Sequence, residues 1–280
     1  TGAYDSYGMT VPLNTQTHTV SNYRVPNFYT EIRMVFTNQM VVTPVRGAGR
    51  SEGIHAMERM IDFAAREMGM DPVELRLKNL LKPEEFPVKT GIIGQDFVEG
   101  VLDSGDYLGA MNMCLDMVEY DKFRKEIQPK ARKEGKRLGI GVVAFTEGTA
   151  VGPYEGVKLT VSTNGKVTLT TGYSSQGQGH FTVFAQIVAD ALNVNVEDVK
   201  VITGDTGHFA WGAGTFASRG ATLVGTATHL ASQKVRAKVF TTASKALGVP
   251  EDEVELGVGS VSAKGKPETA ISLGTLAALA

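Results

Sequence analysis

The sequence predicts an α+β fold in which mixed sheets and helices form several layers, divided between two subdomains. Strand-like alternation and helical periodicity follow one another along the chain, which is typical of layered sheet-and-helix domains. The chain has 280 residues, 42% of them hydrophobic, which is enough for a substantial core. A long connection at 82–106, rich in proline and glycine, predicts a boundary between subdomains 1–95 and 96–280.

Charge and hydropathy exclude several classes of function. Lysine and arginine number 28 against 30 aspartates and glutamates, and no basic tract contains interleaved aromatic residues, so nucleic-acid binding is not indicated. No apolar run approaches the length of a membrane span, and the first residues lack the regions of a signal peptide. We therefore expect a cytoplasmic protein.

The single cysteine, Cys114, excludes a disulfide framework and any iron–sulfur cluster held by this chain alone. It lies in an apolar helical stripe at 110–117, which predicts a core position. The sequence starts without methionine and ends in an apolar segment of helical character at 276–280. We expect it to be part of a longer polypeptide.

Up to residue 81, the chain is predicted to contain a turn-rich start, one strand and two helices. Residues 1–30 show little helical periodicity, whereas the alternation at 29–37 predicts a strand. Apolar spacing predicts an amphipathic helix at 51–68, with Ser51 as its N-cap and Gly69 at its end. Asp71 and the following proline predict the start of a second helix.

From residue 107 onward, the chain is predicted to contain both helices and strands. Two helices at 107–118 and 121–134 precede a buried strand at 138–145. An Asn-Gly turn at 164–165 predicts a hairpin of strands. The remaining predicted elements are a helix at 180–192, a strand at 199–203, a helix at 220–246, a short helical turn at 249–254, two strands around 264–265, and a helix that begins at Ser272.

The turn between the hairpin and the helix at 180–192 contains two glycines and two glutamines. Glycine lets the backbone approach a ligand closely, and the free amides of a helix N-terminus attract anions. Glutamine amides both donate and accept hydrogen bonds, which suits a heterocycle. The turn is either a cofactor cradle or an ordinary glycine-rich connection, and by itself it does not decide between the two. Its candidate ligand-binding residues are Gln176, Gly177, Gln178, Gly179 and His180.

Two further glycine-rich turns, at 46–50 and 212–219, also open predicted helices. Three such turns, two of them with arginine, suit an elongated anionic ligand with hydrogen-bonding rings. Alternatively, Arg46, Arg50 and Arg219 are surface ion-pair residues. The glycine spacing differs from the Gly-x-Gly-x-x-Gly pattern and no acidic residue follows suitably, which disfavours an NAD site.

Taken in order, several motifs resemble one family. They are 45–52, the segment 64–79, 138–141, 176–180 with 185–189, 204–206 and 214–219. This set resembles the molybdopterin-binding large subunit of the xanthine dehydrogenase, aldehyde oxidase and carbon monoxide dehydrogenase family, and it covers the chain from about residue 30 to its end.

The resemblance implies a molybdenum hydroxylase that inserts oxygen from water into a C–H bond of an aromatic heterocycle or aldehyde. The cofactor would be molybdopterin with molybdenum, in its cytosine dinucleotide form. Iron–sulfur and FAD centres would lie on partner subunits or domains. The resemblance also implies that Gln176–His180 bind the pterin, that Thr215, Ser218 and Arg219 bind the dinucleotide end, that Arg46 stabilises charge on the substrate, and that 142–147 line the pocket. No metal ligand is assigned to the chain.

The sequence also departs from the family pattern. Gly47 stands where copper-type carbon monoxide dehydrogenases carry cysteine, and Phe181 stands where many relatives carry glutamate. The Gly-Gly-Phe-Gly-Gly segment and the Gly-x-Gly-Glu segment with the general base are absent. We therefore assign no general base here, and interpret Glu147 and Glu155 as structural or exposed carboxylates.

Two other functions remain open from the sequence. One is a non-catalytic binding or assembly module that keeps the cofactor-domain fold, which the missing glutamate motif favours. The other is an unrelated nucleotide-phosphate binder that uses the same glycine turns. The side chains of Val143, Phe145 and Trp211 are either pocket-lining or core residues.

Overall fold

The computed structural model describes residues 2–4, 7–94 and 97–280. The chain divides into two compact units, Thr1–Glu147 (unit 1) and Gly148–Ala280 (unit 2). The predicted boundary between 95 and 96 falls inside unit 1. The prediction concerned molybdopterin-binding subdomains rather than compact units, so the division into 1–95 and 96–280 stays a prediction.

Unit 1 is mainly helical, with one small hairpin. Its helices are α1 (Thr10–Thr19), α2 (Arg50–Glu67), α3 (Pro72–Asn79), α4 (Tyr107–Met117), and a continuous run made of α5 (Tyr120–Lys122), a π-helical turn (Phe123–Ile127) and α6 (Gln128–Lys133). A short 3₁₀ turn (Pro83–Glu85) leads into the antiparallel hairpin of β1 (Val88–Ile93) and β2 (Glu99–Leu102).

The core of unit 1 contains a buried ion-pair network. Tyr23, Ile61, Leu80 and Met111 pack together. Beside them, Arg76 pairs with Glu58 at 2.7 Å, and the Tyr23 hydroxyl donates to Glu58 at 2.6 Å. Burial and this hydrogen bond raise the pKa of Tyr23 well above its usual range, so its hydroxyl stays a donor.

Unit 2 contains two three-stranded sheets. In the first, β3 (Val157–Val161) pairs antiparallel with β4 (Val167–Thr171), and β4 pairs parallel with β5 (Val199–Thr203). The second is an antiparallel meander of β6 (Val254–Gly257), β7 (Ser260–Ala263) and β8 (Lys266–Ser272). The helices are α7 (His180–Leu192), a π-helical turn (Gly220–Gly225) that continues as α8 (Thr226–Leu247), and α9 (Leu273–Leu279).

One hydrophobic core holds unit 2 together. The buried side chains of Val167 and Leu169 from β4 pack with Phe184 and Val188 of α7 and with Val224. The connection through α7 makes β4–α7–β5 a parallel strand–helix–strand unit. In such units ligands bind outside the carboxyl ends of the strands. The turn after β4 lies at that edge.

Most local predictions are confirmed. The helices near 51–68, 72–79, 107–118, 121–134, 180–192 and 220–246, the hairpin around 164–165, the strand at 199–203 and the caps by Asp71 and Ser272 are all present. Gly69 adopts the left-handed conformation just after α2, as expected for a helix stop.

Two predicted strands are wrong. Residues 29–37 lie outside any named strand, with only an isolated bridge between Phe36 and Gly2. Residues 138–145 also lie outside any named strand, and none of them is fully buried. Both segments do alternate between more exposed and less exposed side chains over part of their length. However, no neighbouring strand lies beside either segment within the described parts of the chain, and a strand needs such a partner.

Other predictions were also wrong. The start of α2 is Arg50, after Gly49 in the left-handed conformation, rather than a helix capped by Ser51. Cys114 is exposed, so its predicted core position is wrong. Helix α1, the β1–β2 hairpin and β6 were missed, since each is short and only weakly periodic.

Candidate functional site

The residues that follow β4 form an exposed turn at the edge of the parallel strands. We call residues 173–179 the glutamine turn. Tyr173 is buried, and Gln176 through Gly179 are exposed. Gly204, at the end of β5, lies beside it, since an added Cβ there would be 3.2 Å from the Ser174 hydroxyl. The carboxyl ends of β4 and β5 therefore meet at this turn.

The glutamine turn is held by its own side chains. The Gln178 Oε1 atom accepts from the Gln176 backbone amide at 2.7 Å, and the Gln178 Nε2 group donates to Gln176 Oε1 at 3.4 Å. Gly177 and Gly179 have φ of 104° and 79°, and a Cβ at either would meet no atom within 4 Å. These glycines are required by conformation, and the space in front of them is open to a ligand.

His180 begins α7 and is buried. Its ring stacks on Phe184, with centroids 5.4 Å apart, and meets Tyr173 edge-on at 5.0 Å. Its Nδ1 atom has no hydrogen-bond partner. Burial lowers the pKa of His180, because desolvation disfavours the charged imidazolium. His180 is thus neutral near pH 7, and its buried Nδ1 atom is free to accept or donate a hydrogen bond within the described structure.

The second candidate segment packs directly on the glutamine turn. We call residues 212–219 the arginine loop. The backbones cross at Gly172 and Gly212, where a Cβ on Gly172 would lie 1.8 Å from the Trp211 carbonyl oxygen. The Thr215 hydroxyl donates to the carbonyl of Ser174. The structure therefore brings the two predicted cofactor-binding segments together.

Arg219 is fully buried and is held by the protein itself. Its Nη1 group donates to Glu155 Oε1 at 2.8 Å and to the Gly214 carbonyl at 3.1 Å, and Nη2 donates to the Pro153 carbonyl. Its guanidinium also lies over the Phe216 ring, 4.7 Å from the centroid. The alternative of a surface ion pair is wrong for Arg219. The contacts indicate that it shapes the arginine loop from inside, and direct contact with a cofactor stays a prediction.

Thr215 and Ser218 lie nearer the surface. Thr215 is half-buried, Ser218 is exposed, and the Ser218 carbonyl accepts from the Thr222 hydroxyl at 3.3 Å. Ala217 and Ser218 both have positive φ, 50° and 51°. Such backbone strain in consecutive residues is concentrated at ligand-binding sites. Their predicted role at the dinucleotide end remains a prediction.

Unit 1 carries the third glycine turn. Arg46 is exposed at its tip, and Ala48 and Gly49 have φ of 49° and 95° just before α2 begins. Arg50 is buried, so the surface alternative is wrong for it too. A cavity of about 420 Å³ lies next to this turn and includes Val143 and Phe145 in its wall. Whether Arg46 contacts substrate stays a prediction.

The carboxylates considered in the sequence have structural contacts. Glu155 is buried against Arg219 and also accepts from the Ala213 amide at 3.1 Å. Glu147 is exposed and lies 3.7 Å from Arg50. Trp211 stacks on Tyr154, with ring centroids 5.2 Å apart, at the surface of unit 2.

Residues 2–4, 7–94 and 97–280 contain neither a group of metal-ligating side chains nor a membrane-spanning helix. No cluster of histidine, cysteine, aspartate and glutamate suited to a metal ion occurs there. Within the same ranges, no helix is long and apolar enough to cross a membrane.

Comparison with known families agrees with this geometry. Residues 113–280 match a family described as "Molybdopterin cofactor-binding domain", and residues 1–80 match a second family with the same description. The chain belongs to the molybdopterin cofactor-binding domain family. Its relatives include xanthine dehydrogenase and carbon monoxide dehydrogenase subunits, which confirms the resemblance seen in the sequence.

Individual relatives agree with this assignment. The chain is 35% identical to the gamma subunit of the 6-hydroxypseudooxynicotine dehydrogenase complex of Paenarthrobacter nicotinovorans, over 91% of this chain and 32% of that one. It is 34% identical to the carbon monoxide dehydrogenase large chain of Afipia carboxidovorans, over 78% and 28%. It superposes on quinoline 2-oxidoreductase from Pseudomonas putida with a TM-score of 0.86 at 31% identity, over 99% and 36%. The chain thus spans about a third of these relatives.

The sequence did not show which partners several site residues have, although Glu155 was interpreted as a structural or exposed carboxylate. Glu155 and Tyr173 carry no local motif, and only their burial beside Arg219 and His180 shows what they do. The close approach of Gly172 and Gly212 was only weakly indicated by the sequence, in which each glycine lies at or beside a predicted turn.

Proposed function

We propose that this chain is the cofactor-holding part of a molybdenum hydroxylase large subunit. One observation carries the proposal: the glutamine turn and the arginine loop, predicted separately, meet at the carboxyl edge of β4 and β5. That juxtaposition suits an elongated cofactor with a flat ring system at one end and phosphates at the other.

The residues present fit molybdopterin, and the family resemblance leads us to propose its cytosine dinucleotide form. The open glycines of the glutamine turn accept a ring close to the backbone, and Gln176 and Gln178 offer amides for its heteroatoms. The amides at the start of α7 follow Gly179 with no side-chain cap. Thr215 and Ser218 would hold the dinucleotide end. When bound, the cofactor supplies the two-electron redox chemistry and the metal-activated oxygen.

The proposed reaction converts R–H and water into R–OH, two protons and two electrons. The substrate R–H is an aromatic heterocycle or an aldehyde. Arg46, exposed on its glycine turn, would stabilise negative charge that develops on the substrate. No residue of this chain is assigned as the general base, which we expect on another part of the large subunit.

The electrons would leave to iron–sulfur and FAD centres on partner subunits or domains. Support comes from relatives whose names describe subunits of larger complexes, a gamma subunit and a large chain. One cysteine in the whole sequence also agrees with clusters that lie elsewhere.

The test is oxygen incorporation from labelled water. The native complex that contains this chain is incubated in H₂¹⁸O with quinoline and an artificial electron acceptor, and the product is weighed by mass spectrometry. We expect the product to contain one ¹⁸O atom from the labelled water, and to form only when the electron acceptor is present. Oxygen derived from O₂ would refute the proposed reaction. Absence of molybdenum from the native complex would favour the non-catalytic module.

A further inference from the structure

The cavity in unit 1 combines apolar walls with a buried arginine. Its volume of about 420 Å³ suits a ligand of one or two aromatic rings. Ile54, Val143 and Phe145 supply apolar wall, and Arg50 and Glu147 supply charge. These side chains come from two segments of unit 1, which are the first part of α2 and residues 141–147.

The Arg50 guanidinium is buried without adequate partners. Only 7% of its side chain is exposed, and Nε has no hydrogen-bond partner. The nearest carboxylate oxygen, Glu147 Oε1, lies 3.7 Å from Nη1, beyond hydrogen-bond distance. A buried guanidinium without hydrogen bonds is costly, so a missing acceptor at this position is a specific expectation.

The other carboxylates in the cavity wall are already engaged. Glu58 accepts from Tyr23 and Arg76, and Asp62 pairs with Arg76 at 2.9 Å and with Arg59 at 3.1 Å. Neither lies within ion-pair distance of Arg50 in the described structure. Arg50 therefore has no described carboxylate within hydrogen-bond distance. The exposed His55 also lines the cavity, but it is not buried as Arg50 is.

The surrounding charge selects the kind of acceptor. Because Glu147 balances the charge of Arg50, a second carboxylate would meet repulsion, whereas a neutral acceptor would not. The Phe145 ring offers an apolar face for a planar group. A ring nitrogen or carbonyl oxygen on an aromatic ligand meets both requirements.

We propose that Arg50 is a specificity-determining residue that donates a hydrogen bond to the ring nitrogen or carbonyl oxygen of a planar aromatic ligand in this cavity. The inference rests on the proposed function, because it takes that ligand to be the substrate. It narrows the substrate class to neutral heteroaromatic or aromatic carbonyl compounds. It also adds Arg50 to the predicted ligand-binding residues, which so far came from Arg46 and the glutamine turn.

The experiment compares three probes with the same fused bicyclic ring skeleton on the native complex. Quinoline carries a ring nitrogen, naphthalene lacks an acceptor, and 2-naphthoate carries an anion. Dissociation constants are measured by calorimetry for the wild type, for Arg50→Met, and for Arg59→Met as the control. Arg59 also lines the cavity but is paired with Asp62 at its surface.

We expect the wild type to bind quinoline about 10- to 100-fold more tightly than naphthalene, the range for a hydrogen bond from a charged donor. Arg50→Met should bring the two within about threefold, and Arg59→Met should keep the wild-type ratio. Should Arg50→Met fail to assemble, Arg50→Lys, which keeps a charged donor without the planar fork, should retain the preference for quinoline at a reduced ratio.

Three results would overturn the inference: an unchanged ratio in Arg50→Met, tighter binding of 2-naphthoate than of quinoline, or no binding of any probe to the wild type. The second would make the cavity an anion site, and the third would mean that other parts of the large subunit fill it. Molybdenum is measured in the same samples. Its absence from the wild type counts against the proposed function, whereas the probe ratios alone decide the role of Arg50.

Discussion

Arg219 and Glu155 form an ion pair of 2.8 Å in which neither side chain is exposed to solvent. The pair joins the end of the arginine loop to the segment just before β3, and Glu155 also accepts from the amide of Ala213. One buried carboxylate therefore ties both ends of the loop that lies against the glutamine turn. The conformation of that loop depends on a residue with no place in any of the sequence motifs.

Removing Glu155 should destabilise unit 2 strongly. Glu155→Ala leaves the Arg219 guanidinium buried without its counter-charge, which is expected to cost about 3–5 kcal/mol in the free energy of unfolding. Urea denaturation followed by circular dichroism measures this cost. The matched control is Asp198→Ala, which removes the partner of Lys166 in a more exposed pair and should cost less than about 1 kcal/mol. Similar costs for the two variants would contradict a structural role for Glu155.

The backbone crossing at Gly172 and Gly212 should not tolerate a side chain. A Cβ on Gly212 would lie 2.4 Å from the Gly172 carbonyl oxygen, so Gly212→Ala must push the arginine loop away from the glutamine turn. We expect a loss of about 1–3 kcal/mol from overpacking and reduced cofactor content in the assembled complex. Gly148→Ala, where an added Cβ meets nothing within 4 Å, is the control and should behave as wild type. Full cofactor content in Gly212→Ala would show that the crossing is unimportant.

The buried His180 should make folding sensitive to acid. Burial lowers the pKa of His180, so the unfolded chain, with a histidine pKa of about 6.5, binds the proton more readily than the folded chain. The free energy of unfolding should fall as the pH drops below about 6.5 and through the folded pKa. Burial acts on His18 in the same direction, so part of the effect belongs to unit 1.

His180→Gln should therefore reduce the pH dependence without abolishing it. The comparison is with His229→Gln, a matched substitution at an exposed position of α8. Urea denaturation at several pH values between about 5 and 8 covers the relevant window. A slope of unfolding free energy against pH that is the same in the two variants would refute a neutral, buried His180.

Local signals in the sequence predicted the elements that surround the site. The apolar spacing of α7 predicted 180–192 and the helix is His180–Leu192, because its buried face is continuous within one element. The Asn-Gly turn at 164–165 likewise predicted the β3–β4 hairpin, because the turn residues and both strands are adjacent in sequence.

What could not be predicted depends on contacts between distant residues. The segments at 29–37 and 138–145 alternate like strands, but a strand exists only where a partner lies beside it, and no local pattern shows that partner. Contact of Arg219 with the cofactor stays a prediction, whereas the support of its guanidinium by Glu155, 64 residues away, could not be predicted from local sequence. The positions of the three glycine turns followed from the sequence, whereas their internal supports did not.

The proposal that the glutamine turn holds molybdopterin is tested most directly by the cofactor content of the intact complex, measured with and without the Gln178 side chain. Molybdenum and the nucleotide released by acid are measured per large subunit in the wild type, in Gln178→Ala and in Gln186→Ala, whose exposed glutamine lies on α7 away from the glutamine turn. We expect molybdenum and a cytosine nucleotide in equal amounts in the wild type and in Gln186→Ala. In Gln178→Ala we expect the content of molybdenum and of the nucleotide to fall several-fold, since each lost hydrogen bond weakens binding by about tenfold. Full cofactor content in Gln178→Ala would contradict the proposal that the glutamine turn holds molybdopterin.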